Sequence, residues 1–421
     1  MNTTEITPIE SESNLAHPGN RPAVVTPLDE HMGLDIARAL HKRGITVYGI
    51  DSDPHAVGRH SNACKFVLAP EIKTNAQAYL RFLVDFSLKL RCKPVLFPLS
   101  DEHVLLISRN RDLILKYYEL VMPSPETIEA LATKVGLIDV AHELHIPAPL
   151  TLFPHSLQEV ESVSRTLQYP VIIKPGESPQ WHDPRIVRQL RRGLLAGRAK
   201  VVVCHNPSEL QDYYRKLAAL NPELVIQEVI PGEDNRLFYT SFYLDRQSRP
   251  LGIFAGRKER VMPVGFGSAS FVHSYYDPEL IETGLRVLQG TQYQGLGGVE
   301  LKKDPRDEIY KLIEVNTRFG MWDGLGEKCG VDLAYIAYCD TLGIPVEPAT
   351  SFCTNIIWID WQRDLRAAIQ YWRQGKLTWR EWLSSLHGKK MWAIYNRSDP
   401  LPGIFFTFRL MGIFLNRVLH H

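Results

Sequence analysis

Short apolar runs alternate with amphipathic segments between residues 21 and 122. The runs have the length and β-branched content of buried strands, and the segments between them repeat apolar residues at helical spacing. The predicted strands are Ala23–Val25, Thr46–Ile50, Lys65–Leu68 and Pro94–Pro98. The predicted helices are Gly33–Arg43, Asn75–Leu90 and Asp101–Leu115. Repeated strand–helix units indicate a doubly wound parallel sheet, so we expect an α/β, Rossmann-like domain over residues 21–122.

The first strand-to-helix loop of this region argues against a nicotinamide site. The loop Thr26–Met32 has no G-x-G-x-x-G sequence, the glycine pattern that brings backbone close to a pyrophosphate. Asp51 and Asp53 follow the second strand, where a dinucleotide fold places its ribose-binding acid. Without the glycines, we interpret the two aspartates as loop caps or as part of a substrate cleft.

The segment Gly295–Gly320 has the alternating pattern of a β-hairpin. One arm runs through Val299 and Leu301, and the other spans residues 310–315. Turn-forming residues fill positions 304–308 between them. We therefore predict two antiparallel strands joined by this turn.

Pairing the two arms about Asp307 predicts the residues that face each other. Leu301 would lie opposite Ile313, and Glu300 would lie opposite Glu314. Side chains alternate along a strand, so each strand contributes to two faces. The apolar face would carry Val299, Leu301, Ile313 and Val315, and the polar face Glu300, Glu314, Asn316 and Arg318.

The two facing glutamates are the reason to predict a binding site. Carboxylates opposite each other on neighbouring strands lie ~5 Å apart at Cβ and repel. A divalent cation offsets that repulsion, because Mg²⁺ takes oxygen ligands and bridges to substrate phosphates. Asn316 adds a neutral oxygen, and Arg318 adds a planar cation suited to phosphate. A solvated hairpin face is the alternative, but the strict separation of polar and apolar faces favours a metal–phosphate site.

The residues Glu314-Val315-Asn316-Thr317-Arg318, with Glu300 upstream, resemble the metal-binding segment of the ATP-grasp superfamily. Thr317 stands where proline is common in that superfamily. The resemblance implies that Glu300, Glu314 and Asn316 hold Mg²⁺ against ATP, with Mn²⁺ as an alternative metal. It also implies a role for Arg318 at the transferring phosphoryl group.

Two lysines fit the same resemblance, which implies that Lys134 and Lys174 bind ATP phosphates. Lys174 ends the apolar strand that begins at Val171, where a buried ammonium needs an anionic partner. A surface lysine that extends to solvent is the alternative. The segment from Gly176 to Arg185 and beyond resembles the flexible loop that covers the phosphates. We expect its arginines to contact a substrate or, for most of them, to form a solvated face. These residues are Arg185, Arg188, Arg191, Arg192 and Arg198.

The strand Leu224–Glu228, which runs into a Pro-Gly turn, resembles the adenine hinge of the superfamily. The resemblance implies that Gln227, Glu228 and Ile230 line the adenine and that Asp234 faces the ribose. Glu233 is an alternative to Asp234. An ordinary exposed turn would also explain the Pro-Gly-Glu-Asp sequence.

The run Ala255–Arg260 follows a predicted strand, Gly252–Phe254. Its Arg257 and Lys258 resemble the Gly-Arg-Lys element of the carboxylate–amine ligase branch, which includes D-aspartate ligase. The resemblance implies catalytic roles for both residues, and we expect them to converge with Arg318 near the phosphoryl acceptor. A surface charge run is the alternative.

The resemblance divides the chain into four predicted parts. Residues 1–20 form a disordered lead-in, 21–122 a Rossmann-like pre-ATP-grasp domain, 123–350 a two-lobed ATP-grasp domain, and 351–421 a Trp-rich helical extension. The extension ends in a cationic amphipathic helix, Gly403–Leu419. We favour docking of this helix on the body, and weak contact with a membrane surface stays open.

Composition excludes several classes of protein. The chain has 421 residues, with 48 basic and 47 acidic residues, so no basic excess points to nucleic acid. Six widely spaced cysteines without a C-x-x-C motif predict a reduced, cytoplasmic protein without a cysteine metal site. No apolar run reaches the ~18 residues of a membrane span. A homo-oligomer stays open.

The implied activity is ATP-dependent ligation of a carboxylate to an amine. An acyl-phosphate would form with release of ADP, and the amine would then displace phosphate. A kinase or carboxylase with the same ATP site is an alternative, and so is a nucleotide-binding protein without activity. The presence of both Glu300 and Glu314 argues against a nucleotide-binding protein without activity. Sequence alone does not identify the two small-molecule substrates.

Overall fold

The computed structural model describes residues 21–28, 31–176, 201–219 and 223–419, with side chains up to residue 412. The predicted lead-in, residues 1–20, lies outside the described residues. So do the five loop arginines between positions 185 and 198.

A parallel sheet of four strands forms the N-terminal part, in the order β3-β2-β1-β4. Its strands are β1 (Ala23–Thr26), β2 (Val47–Asp51), β3 (Lys65–Leu68) and β4 (Val95–Pro98). Its helices are α1 (Met32–His41), α2 (Ala76–Leu90), α3 (Asp101–Arg109) and α4 (Arg111–Tyr117). The predicted parallel sheet is confirmed.

The prediction of one helix over Asp101–Leu115 is wrong, because α3 ends at Arg109 and a separate helix, α4, begins at Arg111. Asn110 leaves the helical region with φ −117° and ψ 28°. Its side-chain amide donates to the carbonyl of Leu106 at 2.8 Å, which replaces a helical backbone bond. Asparagine competes for backbone groups in this way and favours helix ends.

A second, antiparallel sheet has the order β5-β8-β6-β7. This part contains α5 (Pro125–Ala132), α6 (Lys134–Glu143), β5 (Thr151–Leu152), α7 (Leu157–Ser164), β6 (Val171–Pro175), β7 (Val202–Cys204), α8 (Pro207–Ala218) and β8 (Leu224–Glu228). Val171 and Ile173 pack with Leu210 and Tyr214 of α8. Alternation along β6 leaves Lys174 on the other face of this small sheet.

The central sheet has seven strands in the order β13-β12-β9-β10-β11-β14-β15. Its strands are β9 (Leu237–Leu244), β10 (Pro250–Met262), β11 (Ser268–Ser274), β12 (Gly295–Lys303), β13 (Tyr310–Asn316), β14 (Ile357–Ile359) and β15 (Lys390–Trp392). The accompanying helices are α9 (Pro278–Gly290), α10 (Leu325–Cys329), α11 (Leu333–Thr341), α12 (Trp361–Arg373), α13 (Trp379–Ser385) and α14 (Leu401–Leu419).

The two faces of the central sheet belong to different hydrophobic cores. Val299 and Leu301 pack with Leu137 of α6 and Leu280 of α9. The opposite face joins a core shared with the N-terminal helix α1 and with α11. The sheet is therefore covered on both sides.

Strand β10 extends far beyond the predicted Gly252–Phe254. It continues through Met262 and includes Ala255–Arg260, which pairs with both β9 and β11. The Gly-Arg-Lys sequence therefore lies inside a strand, where consecutive side chains point to opposite faces.

The C-terminal helix α14 docks on the N-terminal part through its first turns. Phe406 is buried, and the Phe405 ring stacks on His60 with ring centroids 3.5 Å apart. Just before the helix, Asp399 pairs with Arg38 at 2.9 Å. Across the described ranges, no helix combines the length and the apolar content that crossing a membrane requires.

Candidate active site

The hairpin of β12 and β13 places Glu300 directly opposite Glu314, as predicted. The predicted pairing of Leu301 with Ile313 is wrong. A β-bulge after Glu300 shifts the register, so Leu301 pairs with Leu312. Leu312 therefore takes the buried position, and Ile313 is partly exposed. The extra residue on β13 puts Leu312 on the apolar face and leaves Glu300 opposite Glu314.

Lys258 lies on β10 and reaches Glu300 across the intervening strand β9. On β9, Tyr239 lies opposite Glu300 and Leu237 lies opposite Lys258 of β10, so the lysine and the glutamate are diagonal neighbours on one face. The Nζ of Lys258 lies 2.6 Å from Oε2 of Glu300, and both side chains are largely buried. The ammonium thus pairs with one of the two facing carboxylates.

The expectation that Arg257 converges with Lys258 and Arg318 is wrong. Arg257 lies opposite Phe238 and His273, on the other face of β10. Its Nε donates to Oε1 of Glu259 at 2.7 Å, two residues along the same face. Because strand neighbours alternate, Arg257 and Lys258 cannot both face the hairpin glutamates.

Arg318 follows β13 and links the hairpin to the N-terminal part. Its Nε donates to Oδ1 of Asp101, at the start of α3, at 2.8 Å. Burial acts to lower the pKa of Arg318, but the nearby Asp101 and Glu314 outweigh it and the pKa is raised. Arg318 therefore carries a firmly held positive charge beside Glu314.

A buried aspartate, which the sequence did not single out, shapes the bend after Asn316. Asp323 accepts hydrogen bonds from Oγ of Ser241 and from the N–H of Gly320, each at 2.6 Å. Burial raises the pKa of Asp323 to about 6, and the two donors act against that rise. In the sequence, Met-Trp-Asp-Gly looks like an ordinary turn, so only the folded strands reveal this contact.

Lys174 faces the hairpin from the small sheet. Its Nζ donates to Oε1 of Gln227 at 2.7 Å, and Gln227 donates in turn to Oγ1 of Thr151 at 2.8 Å. Burial and then the neighbouring Lys134 lower the pKa of Lys174 to about 7, while Glu314 acts to raise it. The structure therefore brings Lys134, Lys174 and Glu314 together, although they come from three separate elements.

The hairpin contacts the predicted hinge through Lys302 on β12 and Arg306 in the turn, and the sequence did not indicate these contacts. The Nζ of Lys302 donates to the carbonyl of Ile230 at 2.8 Å, and a guanidinium nitrogen of Arg306 lies 2.6 Å from Oε1 of Glu228. Arg306 is itself held by the buried Asp304, whose pKa lies well below its usual range because of hydrogen bonds from Arg306 and Lys311. The run of turn formers could have suggested a loop but not these long-range partners.

The two candidate ribose acids occupy different environments. Asp234 is only 5% exposed, and its Oδ2 accepts hydrogen bonds from the hydroxyl of Tyr371 and, at 3.0 Å, from the N–H of Gly265. The side chain of Glu233 is 62% exposed and pairs with Nζ of Lys376 at 2.8 Å. Their assignment to a ribose stays a prediction.

The oxygen donors at the hairpin fit a hard divalent cation. Glu300 and Glu314 face each other, and Asn316 lies two residues farther along β13, on the same strand face. Within the part of the chain that the structure describes, no three or more His, Cys, Asp or Glu side chains cluster as a metal centre. The donor set thus depends on the Asn316 amide and on oxygens that a ligand brings, as Mg²⁺ sites with phosphates do.

No family model matches the chain. Over 270 residues, the chain is 24% identical to D-aspartate ligase of Enterococcus faecium (strain Aus0004). That match covers 62% of this chain and 62% of the relative, so the chain spans less than two thirds of the length of the protein it matches.

Solved structures show the fold. The L-amino acid ligase from Bacillus licheniformis is 16% identical with a TM-score of 0.57, over 78% of this chain and 75% of that one. The biotin carboxylase domain of Hydrogenobacter thermophilus 2-oxoglutarate carboxylase, crystallised with MgADP, ADP and bicarbonate, is 14% identical with a TM-score of 0.59. That match covers 78% of this chain and 71% of the other. The predicted ATP-grasp fold is confirmed.

Proposed function

We propose that the protein is an ATP-dependent ligase that joins a carboxylate to an amine through an acyl-phosphate and releases ADP and phosphate. The observation that carries the proposal is the pair Glu300 and Glu314, opposed in register, with Lys258 paired to Glu300 and with Arg318 and Lys174 near Glu314. Such a pair is costly in a structural hairpin and useful at a metal–phosphate site. The similarity to a D-aspartate ligase and an L-amino acid ligase supports the same reaction class.

The proposed nucleotide site lies between the hairpin and the small sheet. Lys134 and Lys174 would bind phosphate oxygens, because Lys134 and Glu314 both lie close enough to Lys174 to act on its pKa. Gln227, Glu228 and Ile230 would line the adenine, with Asp234 or Glu233 at the ribose.

Glu300, Glu314 and Asn316 would hold Mg²⁺, or Mn²⁺, which takes similar oxygen ligands. Bound there, the metal would neutralise phosphate charge and orient the γ-phosphate. Lys258 lies beside Glu300 and would offset charge that develops on the transferring group. Arg257 has no part in this site, because it lies on the opposite face of β10.

The proposed reaction has two balanced steps. A carboxylate oxygen of the substrate attacks the γ-phosphorus, the bond from phosphorus to the β–γ bridging oxygen breaks, and ADP leaves. An amine nitrogen then attacks the carbonyl carbon, phosphate leaves, and the nitrogen loses a proton. The protein needs no nucleophile of its own, and its cations do the electrostatic stabilisation.

Trapping with hydroxylamine tests this proposal. The protein is incubated with Mg²⁺-ATP, a panel of carboxylates and hydroxylamine, and the products are measured as hydroxamate and ADP. We expect one class of carboxylate to give hydroxamate in amounts that match the ADP. A stable phosphorylated product without hydroxamate or amide would instead identify a kinase.

A further inference from the structure

Helix α12 of the Trp-rich extension reaches the hinge, although sequence reasoning gave the extension no role in the site. The helix packs against the C-terminal end of β10 and the N-terminal end of β11. Near its C-terminal end, Gln370 and Tyr371 contact the loop that joins these two strands and the hinge acid Asp234. The extension therefore contacts a predicted nucleotide-binding residue directly.

Tyr371 is placed to orient the carboxylate of Asp234. Its hydroxyl donates to Oδ2 of Asp234 and accepts from the N–H of Val261 at 3.3 Å. Burial and the nearby Asp234 raise the pKa of Tyr371, so the hydroxyl keeps its proton and remains a donor. A hydrogen bond from a buried hydroxyl to a carboxylate fixes both partners strongly.

The same carboxylate also holds the loop between β10 and β11. Gly265 donates its N–H to Oδ2 of Asp234 at 3.0 Å and has φ of 91°, a conformation that favours glycine. The adjacent Val264 donates its N–H to Oε1 of Gln370 at 3.0 Å. Helix α12, the loop and the hinge thus form one connected set of hydrogen bonds.

We propose that Tyr371 is a positioning residue for the nucleotide, which acts through Asp234 by aiming its carboxylate at the ribose hydroxyls. The inference rests on the proposed function. It predicts that the Trp-rich extension is required for nucleotide affinity and not only for stability. Gln370 has the related role of holding the loop between β10 and β11 through Val264.

A double-mutant-type cycle tests whether Tyr371 acts through the ribose hydroxyls. It combines one substitution in the protein with the removal of those hydroxyls from the ligand. Calorimetry measures Mg²⁺-ADP and Mg²⁺-2′,3′-dideoxy-ADP binding to the full chain and to Tyr371→Phe. We expect the substitution to weaken ADP about 10-fold, the scale of one charge-assisted hydrogen bond. We expect less than about a twofold effect on the dideoxy nucleotide, because the hydroxyls that Asp234 would bind are absent.

Tyr118→Phe is the matched control. The Tyr118 hydroxyl donates to the carbonyl of Leu83 at 2.7 Å in the N-terminal core, so this variant also loses one buried hydrogen bond. It should lower Tm to a similar extent and leave ADP affinity unchanged. Equal losses for ADP and dideoxy-ADP in Tyr371→Phe would overturn the inference and leave the proposed function standing.

Hydrogen exchange gives a second, independent readout. Tyr371→Phe and Gln370→Leu should each speed amide exchange in residues 264–267, and Tyr118→Phe should not. Gln370→Leu also carries the test if Tyr371→Phe fails to fold. Unchanged exchange in that loop would overturn the positioning role. Absence of ADP binding by the wild-type chain would overturn both the inference and the proposed function.

Discussion

Glu300 and Glu314 lie on the hairpin of β12 and β13, and Glu233 and Asp234 follow β8 at the predicted hinge, so each of these two regions carries a pair of acidic residues. We call these pairs the hairpin acids and the hinge acids. The hairpin acids face each other in register, with Lys258 as the neighbouring cation. Asp234 instead accepts hydrogen bonds from protein donors, and Glu233 pairs with a partly exposed lysine.

The difference lies in how each charge is compensated. At the hairpin, Lys258 pairs with Glu300, and Arg318 and Lys174 lie near Glu314, but the two carboxylates still face each other and repel in a partly buried place. A divalent cation would offset that repulsion. At the hinge, the Tyr371 hydroxyl and the Gly265 N–H donate to Asp234, and Glu233 pairs with Lys376, so each acid has its own partner within the protein. We therefore propose that the hairpin acids hold a charged ligand and that Asp234 at the hinge orients one.

Glu314→Gln should have the largest effect on this contrast. It removes one carboxylate of the pair without changing its shape, so ADP release with Mg²⁺-ATP should fall by about 10²-fold or more, the scale of losing one strong electrostatic stabiliser. Without metal, the same variant loses the repulsion from Glu300 but also the attraction to Arg318 and Lys174, so its stability should stay within about 1 kcal/mol of the wild type. Turnover assays and thermal melts in EDTA measure the two effects.

Glu308→Gln is the control on the same hairpin. Glu308 pairs with Arg236 on the surface, 2.9 Å apart, and its side chain is 59% exposed. It should change neither turnover nor stability appreciably. Near wild-type turnover in folded Glu314→Gln would contradict the metal assignment.

Much of the fold and the pairing of the hairpin acids could be predicted because alternation carries the information. Strand period fixes which residues share a face, and the turn at 304–308 fixes the approximate register. The bulge after Glu300 could not be predicted, since one inserted residue leaves no periodic trace. Only the described strands show that Leu312 replaces Ile313 on the apolar face.

Contacts between distant segments could not be read from the sequence either. Asp323 with Ser241, Arg306 with Glu228 and Tyr371 with Asp234 all depend on tertiary packing. The C-terminal part of β10 was also missed, because the predicted strand ended at Phe254, before the charged residues. That error about the strand produced the wrong convergence of Arg257 with Lys258.

Lys258→Met should expose the repulsion of the hairpin acids. Losing one partner of a buried ion pair costs about 3 kcal/mol or more, because the remaining charge stays desolvated. Mg²⁺ should recover part of the lost stability, since it replaces the missing positive charge. Thermal melts with EDTA and with Mg²⁺ measure the recovery, which should exceed that of the wild type. Equal Mg²⁺ effects on both proteins would contradict metal binding at Glu300.

Lys174→Met should weaken nucleotide binding by about 1.5–3 kcal/mol, the worth of a charge-assisted hydrogen bond. Calorimetry with a non-hydrolysable ATP analogue measures the loss. Because the pKa of Lys174 is lowered from 10.5 to about 7, wild-type binding should take up protons near pH 8, when phosphate charge restores the ammonium. Unchanged affinity in the variant would identify Lys174 as a lysine outside the site.

The lowered pKa of Lys174 also sets a pH dependence of stability without ligand. Between pH 7 and 10.5, the unfolded chain binds a proton that the folded chain releases, so this lysine makes stability rise with pH across that window. Lys174→Met should remove this rise. Urea titrations at several pH values give the slopes, and parallel slopes for both proteins would contradict the burial of its charge.

Arg257→Gln should have the smallest effect, and it sharpens the contrast between the faces of β10. Arg257 is partly exposed and pairs with Glu259, so its loss should change stability by only about 0.5 kcal/mol. Turnover should stay within about twofold of wild type, because the guanidinium points away from the hairpin acids. Its neighbour gives the comparison: Lys258→Met should suppress acyl-phosphate formation more than nucleotide binding. A large loss of turnover in folded Arg257→Gln would show that substrate reaches the other face of the strand.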